Sequence, residues 1–121
     1  MANLTGAQRK WLRGQALCTG AIDWTFGNIR LQVDYGVHIT VGDRVFANHG
    51  LIALDVAAIV IGDDVQIGPN VQLLTPTHPL DPQQRLDKWE AGEPITIGEN
   101  VWLGGGVIVL PGVTIGANSV V

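Results

Sequence analysis

From Ile97 onward the chain reads IGENVW, LGGGVI, VLPGVT, IGANSV and V, so that an aliphatic residue recurs every six positions, at Ile97, Leu103, Val109, Ile115 and Val121. A second series follows four residues after each: Val101, Val107 and Val113, with Ser119 in the last hexad. The same template runs upstream from Ile61 through Ile67 to Leu73, and more weakly through Val41, Ala47 and Ala53. Six is not a helical period. Positions of equal parity share one face of a strand, and Gly, Asn, Asp and Pro punctuate the intervals. Short strands and corners at a fixed period describe a coil wound on itself, each turn stacked on the last at about 4.8 Å. Asn70, Gly106, Gly112 and Asn118 share one corner position, where a left-handed backbone is tolerated. Alternating Val and Ile would also suit a β-sandwich, but a sandwich needs no six-residue register. The expected fold class is therefore all-β, a parallel β-helix. Spacing alone leaves its hand open, and the general rule for parallel crossovers favours a right-handed one.

The register breaks twice. Two extra residues fall before the hexad at Ile61, and a much longer stretch, 75–94, carries Pro76, Pro79, Pro82, Trp89 and the pair Thr77-His78. That stretch must leave the coil, and long excursions from a rigid scaffold are where function concentrates. Before the coils, Thr5-Gly6-Ala7-Gln8 suits a capping box. Leu4, Trp11 and Leu12 then mark one face of a short helix ending at Gly14, with basic residues in its last turn. The expected organisation is a helical segment over 1–20, lying on the first coil as a lid, and a β-helix over 21–121 with an excursion loop over 75–94.

Composition narrows the function. The mean hydropathy is +0.25, yet the longest apolar stretch, 101–110, is interrupted by Gly104, Gly105 and Gly106, far short of the roughly 20 residues of a membrane span. No charged start followed by an apolar block marks a signal peptide. The single Cys18 excludes an internal disulfide and suits a reducing compartment, so a cytoplasmic protein is expected. The net charge of −4, without a basic stripe, argues against a nucleic-acid partner.

TPTHPLDPQQR followed by EAGEPITIGENVWLGGGVIVLPGVTIG closely resembles the maltose and galactoside O-acetyltransferases of the hexapeptide-repeat class. So do DYGVHITVGDRVFANHGLIALD and IGDDVQIGPNVQL, and the likeness covers roughly residues 22–121. It implies a left-handed coil and a homotrimer with active sites between subunits. It also implies direct acetyl transfer from acetyl-coenzyme A to a small hydroxylated acceptor, a sugar, without a covalent enzyme intermediate.

In this resemblance His78 is the general base. The chemistry agrees, because a sugar hydroxyl attacks a thioester poorly until a base accepts its proton, and imidazole titrates near neutrality, contributing about 10² to 10⁴ in rate. Read without the resemblance, His78 is simply an exposed loop histidine. Glu90, twelve residues on in the same excursion, stands where the maltose enzymes have a glutamate and can accept from the other ring nitrogen of His78, although a solvated loop carboxylate fits the position equally. Asn48 matches an asparagine contacting acceptor and acetyl group. Asp34 and Asp55 match acidic or polar positions around the acceptor, although either residue would equally cap a turn. Trp102 has the parity of an outward-facing residue and matches the surface beside the pantetheine arm. Gly104 and Gly105 let a ligand approach the backbone, where an amide can steady the thioester oxyanion. Gly105 stands where some relatives have serine, so no side-chain hydrogen bond is expected there.

Two other classes remain in view. A zinc carbonic anhydrase shares this fold but needs two histidines in His-x-x-x-x-His spacing, which His38, His49 and His78 do not provide. No metal is therefore expected. A non-catalytic scaffold would keep the coils and lose the chemistry, and the presence of His78, Asn48 and Glu90 argues against it. Between residues 101 and 121 there is no Lys or Arg to answer the phosphates of coenzyme A, which the relatives meet with a further coil and a basic tail.

Overall fold

The computed structural model describes Ile22–Asp23 and residues 31–121. The expected N-terminal helix lies outside the described residues. Among the described residues, twelve short strands form three parallel sheets, the faces of a triangular prism. The first face carries β1 (Ile22–Asp23), β4 (Val45–Ala47), β7 (Gln66–Ile67) and β12 (Trp102–Leu103). The second carries β2 (Leu31–Val33), β5 (Leu51–Leu54), β8 (Gln72–Leu74) and β13 (Ile108–Val109). The third carries β3 (Ile39–Val41), β6 (Ile59–Ile61), β11 (Ile95–Ile97) and β14 (Thr114–Ile115).

The six-residue series become columns through the core. Val41, Ile61, Ile97 and Ile115 lie in register on the third face. Ala47, Ile67 and Leu103 do so on the first face. Ala53, Leu73 and Val109 complete the set on the second. Every member except Ile115 is buried, as are Val45, Val65, Val71 and Val101 from the second series. Ile39, Leu51, Ile59 and Ile95 join them in the same buried core, and each fully buried Val, Leu or Ile contributes about 1.5–3 kcal/mol. The second series weakens at its end: Val113 is exposed, because β14 is the edge strand of its sheet.

Corners explain the polar half of the repeat. Arg44, Gly50, Asp64, Asn70, Asn100, Gly106, Gly112 and Asn118 all take positive φ, between 53° and 79°, at the fourth position of their hexads. An ordinary L-residue pays about 1–2 kcal/mol for that conformation, and Asn or Asp less, through local hydrogen bonds. Neighbouring corners also bond to one another, Asn100 Nδ2 donating to Asn118 Oδ1 at 2.8 Å and Arg44 pairing with Asp64. Gly68 answers a different constraint. A Cβ there would sit 2.6 Å from the amide nitrogen of Gly105 on the next coil.

The excursion over 75–94 leaves the prism as expected, but it is more ordered than a loop. Its stalk is an antiparallel pair, β9 (Pro76–Thr77) and β10 (Ala91–Gly92). Beyond the stalk lies α1 (Pro82–Leu86), whose N-cap Asp81 accepts from the Gln84 amide at 2.8 Å, with Pro82 in the first turn. Arg85 folds back and donates to the main-chain oxygens of Pro79 and Leu80 at 2.9 and 3.1 Å.

Candidate active site

Loops 34–38, 55–58 and 75–94 leave successive coils at one corner of the prism, between the second and third faces. Asp55 organises the first of them. Its side chain is fully buried, Oδ1 accepts from the amides of Tyr35 and Gly36 at 2.9 and 3.0 Å, and Oδ2 accepts from that of His38 at 3.0 Å. Burial pushes the Asp55 carboxyl up, but the amides of Gly36, His38 and Tyr35 outweigh it and hold the group below the usual carboxylate range. Thr75 anchors the excursion on the coil beneath. Its hydroxyl accepts from the Ala57 amide at 2.9 Å and donates to the Leu54 oxygen at 2.6 Å, and its own oxygen accepts from the Glu93 amide at 2.9 Å. Gly92 fits closely, since a Cβ there would lie 3.0 Å from that of Ala57.

The stalk register sets the partner of His78. Thr77 faces Ala91 and Pro76 faces Gly92, so His78 and Glu90 are the next opposed pair, just past the last bridged residues. Both are exposed, and no hydrogen bond joins them among the described residues. Directly opposed antiparallel residues have Cβ atoms about 4.5–5.5 Å apart, within reach of a carboxylate–imidazole bond after side-chain rotation.

A second group assembles on the corner between the first and second faces. Asn48, Gly68 and Gly104 stack there, Asn48 N donating to Ile67 O at 2.9 Å and Gly68 N to Leu103 O at 2.7 Å. Asn48 Oδ1 accepts from the His49 amide at 2.7 Å, which leaves the side-chain NH₂ without a hydrogen bond among the described residues. Trp102 projects outward in line with Phe46 and Gln66 and is 55% exposed. The two glycines differ. The Gly104 amide donates to Val121 O at 2.8 Å and is already spent in the ladder, whereas that of Gly105 makes no hydrogen bond among the described residues.

One chain thus brings His78 and Glu90 to one corner, above Asp34 and Asp55, and Asn48, Trp102, Gly104 and Gly105 to another. The two groups are separated by the width of the second face, about 15–20 Å at roughly 3.3 Å per residue. Asp34 is exposed beside the Tyr35 turn, while both oxygens of Asp55 are engaged by that turn's amides. Sequence reasoning passed over Tyr35 and weighed His38 only as a zinc ligand, whereas the Asp55 carboxylate places both on the hairpin corner. Only the twenty-residue coil repeat links them to Asp55, and the irregular turn at 34–38 breaks the hexad pattern that would have exposed that link. Among the described residues, no three His, Cys, Asp or Glu side chains are grouped so as to hold a metal ion.

Residues 94–121 match the family model described as bacterial transferase hexapeptide, six repeats. The solved maltose O-acetyltransferase of Clostridium difficile 630 superposes on the whole chain with a TM-score of 0.85 and 42% identity, the chain covering 67% of that protein. The chain belongs to the hexapeptide-repeat acetyltransferases. Its coil is accordingly the left-handed β-helix of that family, against the general crossover rule. A second member, the hexapeptide-repeat acetyltransferase of Vibrio cholerae O1 biovar eltor solved in complex with acetyl-coenzyme A, matches 98% of the chain at 37% identity and a TM-score of 0.84, with 64% of that protein covered. The galactoside O-acetyltransferase of Escherichia coli K12 is 45% identical over 87 residues, 72% of this chain and 43% of that one. This hexapeptide-repeat chain spans a little under half the length of the curated relatives it matches. Among its described residues no helix is long and apolar enough to cross a membrane.

Proposed function

We propose that this chain is an O-acetyltransferase carrying an acetyl group from acetyl-coenzyme A to a hydroxyl of a small acceptor, a sugar, with His78 as general base. The observation that carries this reading is the excursion hairpin: a rigid stalk presents His78 opposite Glu90 on a scaffold shared with maltose and galactoside O-acetyltransferases. The imidazole accepts the hydroxyl proton as the oxygen attacks the thioester carbonyl. The oxyanion of the tetrahedral intermediate is met by the Gly105 N–H, and Glu90 stabilises the imidazolium. The carbon–sulfur bond then breaks, and the imidazolium returns its proton to the departing thiolate. Trp102 lies against the pantetheine arm. Asn48 donates to the acceptor or acetyl oxygen, and Asp34 borders the acceptor, while Asp55 acts on it through the turn it holds.

The same proposal includes a homotrimer. The separation of His78 from Asn48 within one chain supports it, because the Asn48 corner of a neighbouring subunit can meet the hairpin. A cytoplasmic setting completes the reading, supported by the lone Cys18. The decisive assay is acetyl-coenzyme A consumption across a panel of sugars and alcohols, with and without His78→Ala. Turnover is expected to fall about 10²- to 10⁴-fold while acetyl-coenzyme A binding persists. A loss below about fivefold on a responsive acceptor would remove His78 from the role of base.

A further inference from the structure

The hairpin corner holds a second imidazole that the proposed chemistry leaves unused. His38 Nδ1 lies 2.7 Å from the main-chain oxygen of Asp55. A carbonyl oxygen only accepts, so Nδ1 carries the proton and the lone pair of the neutral ring sits on Nε2. Nε2 makes no hydrogen bond among the described residues, and the side chain is 47% exposed. Beside it the Tyr35 ring, 62% exposed, stands edge-on to His38 with centroids 5.8 Å apart and planes at 61°.

This pair rests on a built foundation. The buried Asp55 carboxylate grips three main-chain amides of the turn, and Gly36 supplies the positive φ of 75° that the turn requires. Because the grip is on backbone, the Tyr35 side chain does not hold the turn, and His38 contributes only its Nδ1 bond. A solvent-facing lone pair of fixed tautomer and an exposed aromatic ring on a rigid turn are the elements that recognise a sugar, hydroxyl to nitrogen and C–H face to ring. The pair also lies on the corner from which His78 projects, two coils from the hairpin root at Thr75, hence about 10 Å along the axis. That distance suits two linked sugar rings.

We infer that Tyr35 and His38 form a distal acceptor subsite, taking the second ring of a disaccharide or glycoside whose reacting hydroxyl is held at His78. The inference deepens the acetyltransferase reading and rests on it for its reaction, though not for its binding. A hydroxyl of the distal ring donates to His38 Nε2, and the apolar face of that ring packs on Tyr35.

Two measurements test it. The first is the ratio of kcat/KM for maltose to that for glucose. His38→Ala and Tyr35→Ala should each lower this ratio about 3- to 10-fold, the worth of one hydrogen bond or ring contact, and Tyr35→Phe should lower it less than Tyr35→Ala. A ratio unchanged in both alanine variants would overturn the subsite. The second uses the intact protein without coenzyme: maltose at tens of millimolar should shift the His38 Nε2 resonance in a nitrogen–proton imidazole spectrum, and Tyr35→Ala should weaken the shift. No shift with maltose overturns the subsite. If neither sugar is acetylated, the reaction fails as a reading while this spectrum alone still decides the binding site.

Discussion

Asp55 is the residue on which the hairpin corner turns. Its carboxylate is buried and ionised, and its stabilising bonds exist only in that form. Because three amides hold its folded-state pKa below the unfolded value of about 3.9, its contribution is complete above that value and is lost as pH falls through the folded pKa. Denaturant midpoints should therefore decline below about pH 4. Asp55→Asn should cost about 1–3 kcal/mol at neutral pH, since an amide NH₂ replaces one acceptor, and should flatten the acid limb. An unchanged acid limb in the variant would assign the decline to other carboxylates.

At the scale of the coil, the corners and the close approaches carry different penalties. Asn70 sits at φ 57° with its side chain exposed, so Asn70→Gly should change stability by less than about 0.5 kcal/mol, whereas Asn70→Val should cost about 1–2 kcal/mol. Gly68 has an ordinary φ but no room. Its added Cβ would meet the Gly105 amide at 2.6 Å, so Gly68→Ala should force two coils apart and cost about 1–3 kcal/mol by thermal or chemical unfolding. The same displacement moves the proposed oxyanion donor, so turnover should fall in Gly68→Ala even at temperatures where it is folded. Normal turnover in a folded Gly68→Ala protein would take the Gly105 amide out of the mechanism. In the excursion a loop was expected, and α1 was not read although the Asp81 cap and Pro82 that start it are local signals. The stalk was not readable, because Pro76-Thr77 and Ala91-Gly92 show no strand alternation and pair only through their shared root on Thr75.

The assembly supplies the remaining test. If sites lie between subunits of a trimer, His78→Ala and Asn48→Ala chains should each be nearly inactive alone. Unfolded together and reassembled in equal amounts, they should recover about a quarter of wild-type activity, since each site draws one residue from each of two neighbours with probability of one half. Recovery near zero would place both residues of a site in one chain. Sedimentation at micromolar concentration should show the trimer directly.

The hexad series, read as columns, became the three faces in register, because a fixed period of apolar residues with one parity has a single way to bury itself when strands are short. The corners at Asn70, Gly106, Gly112 and Asn118 were equally plain, since left-handed backbone restricts which side chains fit, whereas Arg44 at the same position was not. The left hand of the coil came from family resemblance and not from spacing, because both hands bury the same columns. Candidate site residues were named along the chain and tied together by resemblance, but their division between two corners was not legible there. Only the stacking of coils showed that His78 and Glu90 share one corner with the Asp55 turn and that Asn48, Trp102 and Gly105 share another. Twenty-residue separations along the chain become single strand spacings in space. For the same reason, the use of Asp55 as the keystone of a turn and the fixed tautomer of His38 were decided by tertiary contacts between coils, which no local pattern records.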